Sequence, residues 1–85
     1  MKLYRICTED KNRKSVETLL STSFDGFAIF SGVGYWKGKQ EKALTIEIFG
    51  DNIGDTVKFV AHCIKVLNNQ ESVLITEVEC KGEFL

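Results

Sequence analysis

The segment Ala43-Leu44-Thr45-Ile46-Glu47-Ile48-Phe49 alternates apolar and polar side chains with a period of two, which constrains the fold more tightly than any other stretch of the chain. Successive side chains of a strand point to opposite faces, so Leu44, Ile46 and Ile48 share one face and Thr45, Glu47 and Phe49 the other. Such a strand needs neighbours for its backbone and a layer over its apolar face. The rest of the chain supplies both. Lys2–Thr8 alternates well enough for a strand, Phe27–Val33 forms a short apolar run after the turn pair Asp25-Gly26, and Ser72–Glu79 is rich in strand-forming residues.

Two helical stripes separate these segments. Val16, Leu19, Leu20 and Phe24 recur at helical spacing around residues 12–22, and Thr8 or Asp10 is placed to cap that helix. After the turn Gly50-Asp51-Asn52, the residues Val57, Val60, Ala61, Ile64 and Leu67 form a continuous stripe that Asn68-Asn69 closes. Phe59, Cys63 and Val66 make a second, weaker stripe, read as the edge of the core. Gly32 marks an expected bulge.

The order strand, helix, strand, strand, helix, strand predicts an α+β fold: a ferredoxin-like βαββαβ sandwich with a four-stranded antiparallel sheet and two helices on one face. One domain spanning residues 1–85 accounts for the whole chain. The other sheet face then lies uncovered in a monomer. With Tyr4, Ile6, Phe30 and Phe49 as candidates to project from it, association into an oligomer is expected.

Composition narrows the functional classes. An apolar fraction of 44% with 27% charged residues fits a folded protein, and eleven basic against twelve acidic residues leave a net charge of −1. No overall field recruits nucleic acid or an anionic membrane. No apolar run approaches the ~20 residues of a membrane span. Cys7, Cys63 and Cys80 are odd in number and lack disulfide-framework or zinc-ligand spacing, which points to a reducing cytoplasm.

Catalytic patterns are missing from the sequence. His62 has no ligand or triad spacing, and the adjacent Cys63 points elsewhere on the same helix. Gly32, Gly34 and Gly38 match neither a Walker A loop nor a dinucleotide fingerprint, and no cofactor signature is present. The candidate binding segment is the connection 34–42, with Gly34, Tyr35, Trp36, Lys37, Lys39 and Glu41; Glu71, at the entry to the last strand, is a further candidate. Trp36 reads equally as a cap on the core and as a stacking surface for a planar ligand or protein partner. Glu41 and Glu71 are candidates to meet as a polar site with Gln70 and Lys37.

Phe24-Asp25-Gly26, Gly34-Tyr35-Trp36, Glu41 and, most sharply, Gln70-Glu71-Ser72-Val73-Leu74 resemble a small uncharacterised bacterial family with a PII-like fold, over roughly residues 24–79. The resemblance implies a compact ferredoxin-like subunit, assembly into a homo-oligomer with the trimer favoured, and a regulatory or ligand-binding role through the connection between the second and third strands and a subunit cleft. The nucleotide-contacting residues of PII signalling proteins have no counterpart here. An alternative is a protein-interaction module or inhibitor that acts through an exposed sheet face or edge without a small ligand.

Overall fold

The computed structural model describes residues 1–85 and contains six regular elements in the expected order. They are β1 (Lys2–Glu9), α1 (Arg13–Ser23), β2 (Ala28–Trp36), β3 (Lys39–Gly50), α2 (Gly54–Leu67) and β4 (Leu74–Glu79). The strands form one sheet in the order β2-β3-β1-β4, with every neighbouring pair antiparallel. This is the ferredoxin-like α+β sandwich, and β2 and β4 are its edges.

The register of each pairing is unbroken, so Gly32 sits opposite Ala43 without the expected bulge. Paired residues share a face, and one row of isoleucines crosses all four strands: Ile29, Ile46, Ile6 and Ile75. Tyr4 and Thr8 flank Ile6 on this side, opposite Ile48 and Leu44, and all of these are buried. The alternation that identified Leu44, Ile46 and Ile48 therefore selects the face that the helices cover. Helix α1 contributes Val16 and Leu20, and α2 contributes Val57, Val60, Ala61 and Ile64.

Tyr4 and Ile6 were expected on the uncovered face, but register places them in the core, while Phe30 and Phe49 do project from the open side. That open side has two apolar rows. Phe30 and Leu74 lie in one, Phe49, Leu3 and Val78 in the other, and the row between them holds Arg5 with its Nε donating to Glu47 Oε2 at 2.7 Å.

Three further corrections concern the helices. The α1 N-terminus is capped by neither Thr8 nor Asp10: Thr8 is buried in β1, and Asn12 precedes the helix in a left-handed conformation. The Leu67 position is exposed, because a helix whose buried face runs Val57, Val60, Ala61, Ile64 next turns inward at Asn68. Phe59 and Val66 are exposed rather than packed at the core edge. The α2 C-terminus closes as expected at Asn68-Asn69. Asn69, with φ 52°, turns the chain so that its N–H reaches the Val66 carbonyl and that of Gln70 the Lys65 carbonyl, a Schellman motif.

A cleft beneath a projecting hairpin

Strand β1 ends at Glu9, opposite Ala43, but β3 and β2 run on past it. Lys39–Lys42 and their partners Val33–Trp36 form a two-stranded arm, four residues long on each side. At ~3.4 Å per residue the arm projects about 14 Å, and the molecule measures 40 Å along its longest axis against 24 and 20 Å across. The connection expected over 34–42 is thus almost entirely strand. Only Lys37 and Gly38 turn, with φ 51° and 78°, and positive φ at both positions is what a type I′ hairpin turn requires. Tyr35 and Trp36 are strand residues with side chains on opposite faces of the arm.

The arm overhangs a cleft of about 530 Å³. Its inner wall is formed by Gly34, Tyr35, Trp36 and Glu41; the opposite wall is the Asn69–Ser72 connection with Leu74, and the base is the end of β1. Sheet order explains the assembly: the C-terminal end of β1, the arm and the chain leaving α2 all emerge at the same end of the sheet. Gly34, Tyr35, Trp36, Glu41 and Glu71 are brought together around this single opening. Lys37 reaches across its mouth, with Nζ 3.4 Å from Glu71 Oε1 and 5.7 Å from the Trp36 ring centroid. Lys39 lies opposite Trp36 and adds positive charge near Glu41.

Glu41 and Glu71 do not meet. The partner of Glu41 is Glu9, its diagonal neighbour on the open face, because Glu9 stands opposite Ala43 two residues further along β3. Donating a hydrogen bond to the Glu9 carboxylate raises the Glu41 carboxyl above the ordinary value of 4.5, aided by desolvation and by repulsion from the Glu9 charge. Glu9 moves the other way, held down first by Lys11, whose Nζ lies 2.8 Å from Glu9 Oε2, and then by Glu41. The pair holds one proton between two carboxyl groups at acidic pH, with Glu41 as the donor.

A polar network braces the far wall. Thr8 Oγ1 donates to Gln70 Oε1, Asn68 Nδ2 donates to the same oxygen at 2.9 Å, and Asn12 Nδ2 donates to Asn68 Oδ1 at 3.0 Å. Gln70 Nε2 donates in turn to the Ser72 carbonyl at 3.2 Å. The network ties β1, the entry to α1 and the exit of α2 to the loop that carries Glu71. Every buried side-chain polar atom has a partner, so this wall is preorganised rather than left to solvent.

Glu9, Lys11 and Thr8 were not among the sequence candidates. The alternation of β1 carries through Glu9 and would have put it on the open face, but Glu9-Asp10-Lys11-Asn12 reads in isolation as a polar helix entry. His62 and Cys63 lie on α2, away from the cleft, and no group of three or more His, Cys, Asp or Glu is placed to hold a metal ion. No helix is long and apolar enough to cross a membrane.

No protein-family model matches this chain, and no curated protein matches it. Among solved structures, the crystal structure of a DUF3240 family protein from Shewanella baltica OS155 is similar over 99% of this chain and 93% of that one, with a TM-score of 0.72 at 8% sequence identity. At that identity the likeness is one of fold: the whole chain adopts a small ferredoxin-like architecture shared with a protein of a DUF family.

Proposed function

We propose that this protein is a non-catalytic, PII-like regulatory or ligand-binding subunit that works as a homo-oligomer and takes a small polar molecule in the cleft beneath the β2–β3 arm. One observation carries the reading: Gly34, Tyr35, Trp36 and Glu41 line one opening together with Glu71 from far along the chain, and Lys37 bridges to Glu71 at its mouth. The volume of about 530 Å³ lies within the ordinary range of small-molecule sites. Half-exposed Trp36 offers a stacking surface, Lys37 and Lys39 offer positive charge near the opening, and the Glu9–Glu41 pair offers acceptor oxygens, sharing a proton only at acidic pH. The cleft is built within one chain, so ligand capture does not require a neighbouring subunit. The resemblance of Gly34-Tyr35-Trp36 and Gln70-Glu71-Ser72-Val73-Leu74 to a PII-like family supports a sensing role, and the three free thiols suit the cytoplasm.

Native mass spectrometry of protein purified from its natural host tests this reading. A defined small mass retained by the wild type and lost by Trp36→Ala, with the variant still folded, is the expected result. Protein that carries no small molecule and instead co-purifies in fixed stoichiometry with another protein would replace it with the interaction-module reading, for which the half-exposed Phe30, Phe49 and Val78 of the open sheet face provide the surface.

A further inference from the structure

Strand β2 is an edge strand of nine residues, Ala28-Ile29-Phe30-Ser31-Gly32-Val33-Gly34-Tyr35-Trp36, and none of them is charged. It contains no proline and no bulge, so two of the usual devices that keep a sheet edge from pairing are absent, and the one charge against it is Arg13, whose Nη1 donates to Ser31 Oγ at 3.3 Å. The opposite edge is protected: β4 has six residues, including Glu77 and Glu79, and Lys2 Nζ lies 2.8 Å from Glu77 Oε2. Half of β2 also lies in the projecting arm, where it pairs with β3 alone, and a two-stranded ribbon is only marginally stable in water.

We infer that β2 pairs with β2 of a second copy, antiparallel about a two-fold axis through Gly32, to make a continuous eight-stranded sheet. The sequence is self-complementary in this register. On the open face Phe30 would stand across from Gly34 of the second copy and Trp36 across from Ala28, so each large ring meets a small residue; on the helix face Ile29 would meet Tyr35 and Ser31 would meet Val33. No charged side chain of β2 itself meets its copy in this register; the nearest like charges are the two Arg13 guanidinium groups, each held by Ser31 on the helix face. The seam and the cleft share residues: Val33, Gly34, Tyr35 and Trp36 of β2 also line the cleft, so Trp36 belongs to both. This pairing puts a two-fold dimer in place of the trimer that the resemblance implies, and its readout, the oligomeric mass, differs from that of ligand capture, the retained small molecule.

Gly32 makes the test clean. A Cβ added there meets no atom within 4 Å inside the chain, and its backbone is not left-handed, so side chains fit the monomer. Across the proposed axis, two residues at position 32 would face each other at ~4.5–5.5 Å between Cα atoms. Sedimentation or native mass spectrometry of the full chain should give a dimer for the wild type and for Gly32→Ala. In Gly32→Glu the dimer dissociation constant should rise at least about tenfold while the circular dichroism spectrum is unchanged. Hydrogen exchange on the wild type provides a check that needs no variant: the amides of Ile29, Ser31, Val33 and Tyr35, which point away from β3, should become more protected as protein concentration rises through the dimer range. A trimer, a monomer at all concentrations, a dimer indifferent to Gly32→Glu, or β2 amides indifferent to concentration would each overturn the pairing. Because Trp36 belongs to both the seam and the cleft, retention of a small molecule is scored separately, by comparing wild type and Gly32→Glu, whose change leaves Trp36 in place.

Discussion

Replacing Trp36 with alanine separates the two roles that its sequence position left open. The side chain is 50% exposed, on an arm that no helix covers. About half of the ~200 Å² that a large aromatic can bury is therefore out of water, which at ~25 cal/mol per Å² corresponds to about 2.5 kcal/mol. A compact unfolded chain already hides part of that area, which lowers the figure to about 1.5–2 kcal/mol. A tryptophan packed in the core would cost about 3–5 kcal/mol on the same truncation. An 85-residue domain has about 4–13 kcal/mol of stability in total, so the variant should remain folded, with a melting temperature lower by about 6–16 °C. Urea unfolding followed by far-ultraviolet circular dichroism, at one fixed protein concentration, measures the loss without relying on the only tryptophan. Retention of the cleft ligand should fall at least about tenfold, more than the change in stability explains. A loss of 4 kcal/mol or more with unchanged ligand retention would refute the argument and make Trp36 a structural residue.

Three other outcomes follow from the geometry. Ile46, fully buried at the centre of the isoleucine row, should lose about 2–5 kcal/mol on change to alanine, as read by urea unfolding; a loss below 1 kcal/mol would contradict the core described here. Gly50→Ala should cost about 1 kcal/mol or more, because the new Cβ would lie 2.7 Å from Ile53 Cδ1, whereas Gly32→Ala should be neutral to slightly stabilising; equal effects would show that Ile53 moves aside freely. Glu9 and Glu41 should titrate as a coupled pair in carboxyl-carbon NMR, one step below 4.5 and one above. The raised Glu41 group stabilises the fold below 4.5 and loses that contribution as pH rises through its folded value; the lowered Glu9 group contributes above 4.5 and loses it as pH falls through its own. The contact between the arm and β1 is therefore firmest between the two steps. Glu41→Gln should remove the upper step, and an upper step that survives would reassign it.

The order of elements was legible because each depends on a short local pattern. The alternation of Leu44, Ile46 and Ile48 and the helical spacing of Val57, Val60, Ala61 and Ile64 are properties of neighbouring residues, and the structure buries those side chains. Asn68-Asn69 was legible as a helix end for the same reason, since the left-handed turn at Asn69 is local. The span of the second hairpin was less so. Gly34, Gly38 and the polar run Lys39–Lys42 read as a connection in isolation, yet their pairing with Val33–Trp36 makes them strand.

By itself, the sequence determined the fold class and the helix-covered face of β3, because periodicity and turn chemistry act over a few residues, while the covered face of β1, with Tyr4 and Ile6, waited on register. Only tertiary structure decided that β1 stops at Glu9 while β2 and β3 continue, that Glu41 meets Glu9 rather than Glu71, and that Lys37 spans the cleft to Glu71. Those outcomes depend on strand register and sheet order. Register and order are set by contacts between segments distant in the chain, and no local pattern encodes which residue of one strand stands opposite which residue of the next.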